Sequence, residues 1–308
     1  MTTIVPRFAT CNKCGGRTPV HFIGSTNVRK TDSDFCPWSM GYQPLDYALS
    51  VCPKCNFVGR PDEFYIEQGE FREDHPYQHW EETERPSKEY PMSKRFVSYA
   101  QRIEQEGASY LRVGEAFLHG SWAERKSASP MNRSAESIAL EGECQQNAAK
   151  YFELGLQKGT LPPSPENLYL IGELHRRIGD FSKASEYFDN ATIALENKYY
   201  ILILEDAGPQ SDIVEAIVLA DSSIEKAGWI RILNSIPCEI LSYLTFEKVQ
   251  ERVTRLSALG ATVSIKEQVE ELNRRNEIMD LIRRMKEFAI QGDSDNKIAD
   301  EKYSIYIY

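Results

Sequence analysis

Four cysteines lie in two short motifs of identical spacing, Cys11-Asn-Lys-Cys14 and Cys52-Pro-Lys-Cys55. Each motif predicts a tight turn with both sulfurs pointing inward, and Gly15 or Asn56 can adopt the left-handed backbone conformation that follows such a turn. Two such turns supply four thiolates, the complete tetrahedral ligand set of a structural zinc site, whereas a catalytic zinc keeps one position open. A redox-active pair is the alternative, but it would need no matching second motif. The sequence therefore predicts one structural Zn²⁺ bound by Cys11, Cys14, Cys52 and Cys55.

The other cysteines and the histidines fall outside this pattern. Cys36 lies between the two motifs, and its role as a spare ligand is left open, as is the role of His21 close to the first motif. Cys144 and Cys238 are expected to be small buried apolar side chains. His75 and His79 have the spacing of a helical metal pair, but Pro76 stands between them in a stretch without periodicity. An ordinary surface or packing role is therefore expected for both.

Three aspartates, Asp32, Asp34 and Asp46, could in principle support acid–base chemistry. No nucleophile or base is placed near them by the sequence, so turn-forming or strand-pairing roles are expected instead. The sequence also contains no phosphate-binding glycine loop, no GxSxG and no HExxH motif. We therefore expect a protein that is not an enzyme.

Composition and charge limit the functional classes to which the protein can belong. The chain has 308 residues, 41% of them hydrophobic, with 36 basic and 46 acidic side chains and a net charge of −10. These values are typical of a globular protein, and an acidic surface disfavours nucleic-acid binding by the whole molecule. Residues 1–60, however, carry seven basic and three acidic side chains, so a local basic patch is not excluded. The sequence has no long apolar run and no signal-peptide pattern, so we expect a cytoplasmic protein with no membrane contact.

A helical pattern starts near Phe96, and its clearest part is a pair of helices over 165–197. Ser164 is expected to cap the first helix, Gly179 to end it, and Gly172 and Ala184 to let the two helices approach closely. The apolar positions of the pair recur at helical spacing: Leu168, Ile171, Leu174, Ala184, Phe188, Ala191 and Leu195. This pattern resembles one tetratricopeptide repeat, which implies a helical hairpin.

A second, degenerate copy of the repeat is indicated upstream. Residues 110–117 resemble its first helix and residues 148–152 its second, with 126–137 as an insertion. Two repeats are fewer than the three that an isolated solenoid needs for stability, so the helices are expected to pack against neighbouring elements. Whether their surface binds a peptide or serves only for packing is left open.

Four segments of the sequence form one combination of motifs: Arg29–Phe35, Tyr42–Tyr47, Val51–Cys55 and Ile171–Asp180. Together they resemble a family of functionally uncharacterised bacterial proteins. That family joins an N-terminal zinc ribbon to a tetratricopeptide-like region, and the resemblance covers roughly residues 8–195. It implies the fold and the zinc ion, but it carries no activity.

The remaining third of the chain predicts a small α/β domain and a tail. Residues 199–266 follow the order β-α-α-β-α-β and resemble the C-terminal domain of the bacterial ribosomal stalk protein. The basic, glycine-containing helical hairpin through which that family recruits translation factors is not matched here, so factor recruitment is not expected. Residues 266–291 predict a helix that packs on the chain itself or on a second copy. The apolar stripe of this helix comprises Val269, Leu272, Met279, Ile282, Met285 and Phe288. The final segment, Tyr303–Tyr308, predicts a strand that pairs within its own chain or with a partner.

The sequence thus predicts an α+β multidomain protein. The expected parts are a zinc ribbon (1–70), a connector (71–98), a tetratricopeptide-like region (99–197), a stalk-like α/β domain (198–266) and a helix with a β-prone tail (267–308). Every recognised part is a binding scaffold, so we expect a non-enzymatic adaptor that contacts proteins through the helical repeat, the stalk-like domain or the terminal strand. The alternative is a nucleic-acid- or ribosome-associated zinc-ribbon factor, suggested by the basic first segment and the stalk-like order. A homo-oligomer is compatible with either hypothesis.

Overall fold

The fold was analysed in a computed structural model that describes residues 3–40, 42–65, 91–127, 133–196, 199–206, 237–244, 246–268 and 272–294. Within these ranges it is a mixture of α-helices and small antiparallel sheets. His75, His79, Val269, the helices predicted between 211 and 234, and Tyr303–Tyr308 lie outside the described residues. None of the described helices combines the length and the apolar character needed to cross a membrane.

The strands are short. They are β1 (Thr3–Thr10), β2 (Arg17–Ser25), β3 (Val28–Thr31), β4 (Pro37–Ser39), β5 (Ser50–Val51), β6 (Val58–Gly59), β7 (Tyr199–Asp206), β8 (Cys238–Leu244) and β9 (Thr262–Gln268). The α-helices are α1 (Met92–Gln105), α2 (Tyr110–Ser127), α3 (Ala135–Lys158), α4 (Pro165–Arg177), α5 (Phe181–Glu196), α6 (Phe246–Ala258) and α7 (Leu272–Ile290).

The described residues form two units. The first unit takes its residues from 1–107 and 115–148, and the second takes them from 108–114 and 149–296. The division falls within α2 and α3, so each of these helices contributes to both units. The five-part division that the sequence suggests stays a prediction.

Among its described residues, the first unit contains three two-stranded antiparallel sheets, β1–β2, β3–β4 and β5–β6. A small buried core joins the β1–β2 hairpin to the segment of the second cysteine motif: Ala9, Cys11, Val20, Cys52 and Phe64. The first helix, α1, begins at Met92 rather than near Phe96, directly after Pro91, whose φ of −61° suits a helix entry. Its buried positions recur at helical spacing: Phe96, Tyr99, Ala100 and Ile103.

The α4–α5 hairpin of the second unit follows the sequence prediction closely. Ser164 caps α4, because its hydroxyl accepts the backbone N–H of Asn167 at 3.2 Å. Gly179 ends the helix with a φ of +84°, in the left-handed region that glycine tolerates. A Cβ atom at Gly172 would lie 2.9 Å from the ring of Phe188, so the glycine is what allows α4 and α5 to approach each other.

The predicted upstream helices are also present as α2 and α3. Gly114 of α2 lies against Phe152 of α3, since a Cβ atom at the glycine would be only 2.6 Å from the phenyl ring. Residues 128–132 of the predicted insertion fall outside the described part of the chain.

The second unit also contains a three-stranded antiparallel sheet in the order β8-β7-β9, with β7 in the centre. Gly260 follows α6 with a φ of +86°, as expected for a helix C-cap. Cys238, which was expected to be buried, is only half-buried at the start of β8. Among the described strands β8 pairs with β7 alone, so Cys238 is covered by a neighbouring strand on one side only.

The last described helix, α7, packs on α5 within the second unit, and Lys286 of α7 forms an ion pair with Asp189 of α5. Of the two alternatives that the sequence left open, packing on the chain itself or on a second copy, the structure shows contacts with the chain itself. Its buried stripe differs in part from the predicted one, because Met279 and Phe288 are half-buried. The buried residues are Ile278, Leu281, Ile282, Met285 and Ala289.

Candidate metal centre

The two cysteine motifs fold into equivalent turns. In each turn the N–H of the residue after the second cysteine donates to the carbonyl of the first, from Gly15 to Cys11 at 2.8 Å and from Asn56 to Cys52 at 2.9 Å. Each first cysteine also donates its own N–H to the carbonyl five residues further on, at 2.8 and 2.9 Å. Gly15 and Asn56 have φ values of +68° and +57°, so the left-handed positions predicted from the sequence are confirmed.

The turns bring four sulfur atoms together. The Sγ atoms of Cys11, Cys14, Cys52 and Cys55 all lie within 4.8 Å of one another. The Cys11–Cys55 distance is 3.7 Å and the Cys14–Cys52 distance is 3.5 Å. Sulfurs at about 2.3 Å from a tetrahedral ion would be roughly 3.8 Å apart, so the spacing fits an ion held by four thiolates. Cys11 and Cys52 are buried, and Cys55 is exposed.

Two of the four clustered thiols, Cys52 and Cys55, have pKa values shifted in opposite directions. Burial raises the pKa of Cys52, but donors from the Thr18 hydroxyl and from backbone N–H groups outweigh it and lower that pKa to about 6. For Cys55, a backbone hydrogen bond at Phe57 lowers the pKa, but the neighbouring thiols raise it to about 12. Closely spaced thiolates repel one another, so losing one proton makes the next loss harder. A bound cation removes this repulsion, and the chemistry of the donor set therefore favours a metal ion.

Small and basic residues surround the sulfurs. A Cβ atom at Gly16 would lie 3.2 Å from the sulfur of Cys14, 3.3 Å from that of Cys52 and 3.1 Å from the Cβ of Lys54, so a larger residue would press on the site. Each turn carries a lysine that reaches the opposite turn. The Nζ atom of Lys54 donates to the carbonyl of Cys14 at 3.4 Å, and that of Lys13 lies 5.7 Å from the ring centre of Phe57.

Cys36 and His21 are not among the four clustered ligands. Cys36 is completely buried, and burial raises the pKa of its thiol to about 12. The ring of His21 contacts that of Tyr47 at 5.1 Å, and burial, assisted by the charge of Arg95, lowers the pKa of its imidazole. Cys144 is fully buried, as expected.

A buried ionic cluster lies elsewhere in the first unit, and we call Asp32, Asp34, Arg125 and Glu141 the Arg125 cluster. The Arg125 guanidinium donates from Nη1 to Asp32 at 3.0 Å and to Asp34 at 2.9 Å, and from Nη2 to the other oxygen of Asp34 at 2.6 Å. Its Nε atom donates to Glu141 at 2.7 Å. These side chains are at most 6% exposed. The carboxylates raise the pKa of Arg125 further above its usual value, although burial acts in the opposite direction.

The backbone around this cluster forms the turn expected of its aspartates. The N–H of Phe35 donates to the carbonyl of Asp32 at 2.9 Å, and the N–H of Asp32 donates to the carbonyl of Cys36, also at 2.9 Å. The ring N–H of Trp122 donates to Asp34 at 3.1 Å. The sequence offered no signal for these long-range partners, because Arg125 and Trp122 lie on α2, far along the chain. Asp46 is half-buried, and burial raises its pKa.

No curated protein and no solved structure matches the chain. One family model matches residues 10–207, which is more than half of the chain and includes both the four clustered cysteines and the Arg125 cluster. The chain therefore belongs to DUF2225, a family described as an uncharacterized protein conserved in bacteria.

Proposed function

We propose that the protein is a non-enzymatic adaptor whose first unit is held by one structural zinc ion. Zinc is the proposed metal because it has no strong geometric preference of its own and is commonly held in proteins by four cysteine thiolates in a tetrahedron. Cys11, Cys14, Cys52 and Cys55 would fill every position around the ion. No position would then be left for a reactive water or a substrate.

Two observations in the described part of the first unit carry this proposal: the four clustered sulfurs suit one fully coordinated ion, and the buried carboxylates are already paired. The four sulfurs are spaced for one tetrahedral ion. The carboxylates of Asp32 and Asp34 are buried and both are bound by Arg125. Carboxylates that are already paired, and that water does not reach, are suited to stabilising a scaffold rather than to acid–base chemistry.

The proposed protein-binding surface is the three-stranded sheet of the second unit. Among the described residues, β8 and β9 each pair on one side only, so both are edge strands. Ile265 of β9 is 40% exposed, which is unusual for a large apolar side chain on an open edge. An extended segment of a partner can add to such an edge through backbone hydrogen bonds. The resemblances to a tetratricopeptide repeat and to the stalk-protein domain support the same role, because both are binding scaffolds.

The test is native mass spectrometry of the full-length protein, isolated under mild conditions from bacterial cells that make it at its natural level. We expect a complex of fixed stoichiometry containing a second protein. Ile265→Lys should reduce that complex strongly, whereas Ile138→Lys, at an isoleucine of α3 that is 56% exposed, should leave it intact. Removing Tyr303–Tyr308 tests the terminal strand in the same way.

Two results would contradict the proposal. One is a wild-type chain that is always isolated as a lone monomer. The other is a purified, partner-free chain that converts a small molecule with multiple turnovers. A complex made only of identical chains would also contradict the adaptor role and would show a homo-oligomer instead.

A further inference from the structure

The outward face of the β1–β2 hairpin carries a group of aromatic residues. Paired residues of an antiparallel hairpin share a face, and alternate residues along a strand return to it. Because Phe8 pairs with Pro19 and Thr10 pairs with Arg17, Phe8 and Arg17 lie on one face, together with His21 two residues beyond Pro19. Tyr65 forms a bridge with Thr10, so it belongs to the same face.

The aromatic row continues beyond the hairpin. The rings of His21 and Tyr47 are 5.1 Å apart, and those of Tyr47 and Tyr42 are 6.0 Å apart. His21 and Tyr47 are half-buried, whereas Tyr42 and Tyr65 are 64% and 60% exposed. We call this set of residues the aromatic face: Phe8, Arg17, His21, Tyr42, Tyr47 and Tyr65.

The charge around the aromatic face is positive. The guanidinium of Arg17 lies 3.8 Å from the ring centre of Phe8, and Lys54 lies beside Gly16, the residue before Arg17. No ion pair with a carboxylate of the described residues is seen for Arg17 or Lys54. Lys54 is also close enough to the metal centre to offset part of the charge of a zinc tetrathiolate, which leaves Arg17 as the main cation of this face.

The acids of the same segment do not balance these cations at the surface. Asp32 and Asp34 are buried on Arg125, a residue supplied by α2. Asp62 pairs with Arg60 at 3.2 Å, and Glu63 pairs with Arg102 at 2.6 Å. Four of the five acids of residues 3–65 are therefore paired with arginines, and the fifth, Asp46, is half-buried, although the whole chain has a net charge of −10.

We propose that the aromatic face binds single-stranded nucleic acid. Exposed rings next to a guanidinium provide stacking positions for unpaired bases, and the cations bind the phosphate backbone. A duplex fits less well, because its bases are already stacked on one another. An acidic peptide would use the charges but would gain little from three exposed aromatic side chains. This activity goes beyond the proposed adaptor role, since it would join a nucleic acid at the first unit to a protein held by the second.

The test measures fluorescence anisotropy of a labelled 12-nucleotide single-stranded RNA, and of the DNA of the same sequence, with the full-length zinc-loaded protein. We expect binding that weakens as salt rises from 25 to 200 mM. Tyr42→Ala and Phe8→Ala should each weaken the affinity by at least about fivefold, the loss of one stacked base. Arg17→Gln should weaken it and reduce the magnitude of the slope of log K against log salt by about one.

Two variants serve as matched controls. Arg283→Gln removes an arginine of α7 whose side chain is 71% exposed, and Ile193→Ala removes an exposed apolar side chain of α5. Both should bind as the wild type does, and zinc content and urea midpoint confirm that every variant is folded. The proposal is wrong if neither RNA nor DNA binds at 25 mM salt, or if Tyr42→Ala and Phe8→Ala bind normally. It is also wrong if a duplex binds as tightly as the single strand, or if polyglutamate competes as well as the RNA.

Discussion

Replacing Arg125 by methionine should strongly destabilise the first unit. The substitution keeps an unbranched side chain but removes the guanidinium. Asp32 and Asp34 then stay buried without the cation that binds both, whereas Glu141 retains its ion pair with Arg133. The lost contacts are four hydrogen bonds of 2.6 to 3.0 Å between groups at most 6% exposed. Removing one partner of a buried ion pair costs about 3–5 kcal/mol, a large part of the roughly 5–15 kcal/mol that stabilises a typical domain.

The assay is urea denaturation followed by tryptophan fluorescence. Trp122 is a local probe, because its ring N–H donates to Asp34. The control is Arg283→Met, since Arg283 is 71% exposed and pairs with Asp280 on the same helix. That variant should unfold within about 0.5 kcal/mol of the wild type. If Arg125→Met unfolds with the same midpoint and slope as Arg283→Met, the Arg125 cluster does not stabilise the fold and the reasoning is wrong.

Three further predictions concern packing and pH. Gly172→Val should destabilise the α4–α5 hairpin by about 1–3 kcal/mol, because the new side chain would collide with the ring of Phe188. Gly142→Ala should instead stabilise α3 by about 0.5–1 kcal/mol, because a Cβ atom there would have no other atom within 4 Å. Equal urea midpoints for the two variants would contradict this. Burial, assisted by Lys126 and Arg60, lowers the pKa of His119 to about 4. The unfolded chain, with a histidine pKa near 6.5, therefore binds this proton first as the pH falls, and stability should drop by roughly 3 kcal/mol between pH 7 and pH 4. His119→Gln should remove that part of the pH dependence of the urea midpoint, and an unchanged profile would refute it.

The parts of the structure that the sequence predicted depend on local rules. A CxxC turn requires only two cysteines and a residue that accepts a positive φ, so both turns could be located from five consecutive residues each. The same holds for the cap at Ser164 and the break at Gly179, which depend on neighbouring residues along the helix. The predicted pairing of the two cysteine motifs added one long-range inference, which was justified because a single pair of thiolates leaves a tetrahedral ion half-coordinated.

The Arg125 cluster could not be predicted in this way. Arg125 and Glu141 lie on helices rich in charged residues, and nothing in their spacing separates a buried ion pair from a solvated one. Asp32 and Asp34 suit an exposed turn equally well. Their burial depends on α2 covering the turn between β3 and β4, which is a property of the tertiary fold.

The prediction of the buried face of α7 was partly wrong, again because tertiary contacts decide which residues are buried. The sequence favoured Met279 and Phe288, whereas Ile278 and Leu281 are buried more deeply. The helix has apolar residues around more than half of its circumference. Which of them face inward is decided by the contact with α5 rather than by the period of the pattern.

The most direct test of the account is the zinc content of the purified protein, measured by elemental mass spectrometry together with the number of thiols that react with a chromogenic disulfide. We predict one zinc ion per chain and four thiols that become reactive only when a chelator is added. Cys14→Ser should lose the ion or bind it far more weakly, and Cys36→Ser should retain it fully. A folded protein without stoichiometric metal, or a Cys14→Ser variant that keeps its zinc with unchanged affinity, would contradict the claim that these four sulfurs hold one structural ion.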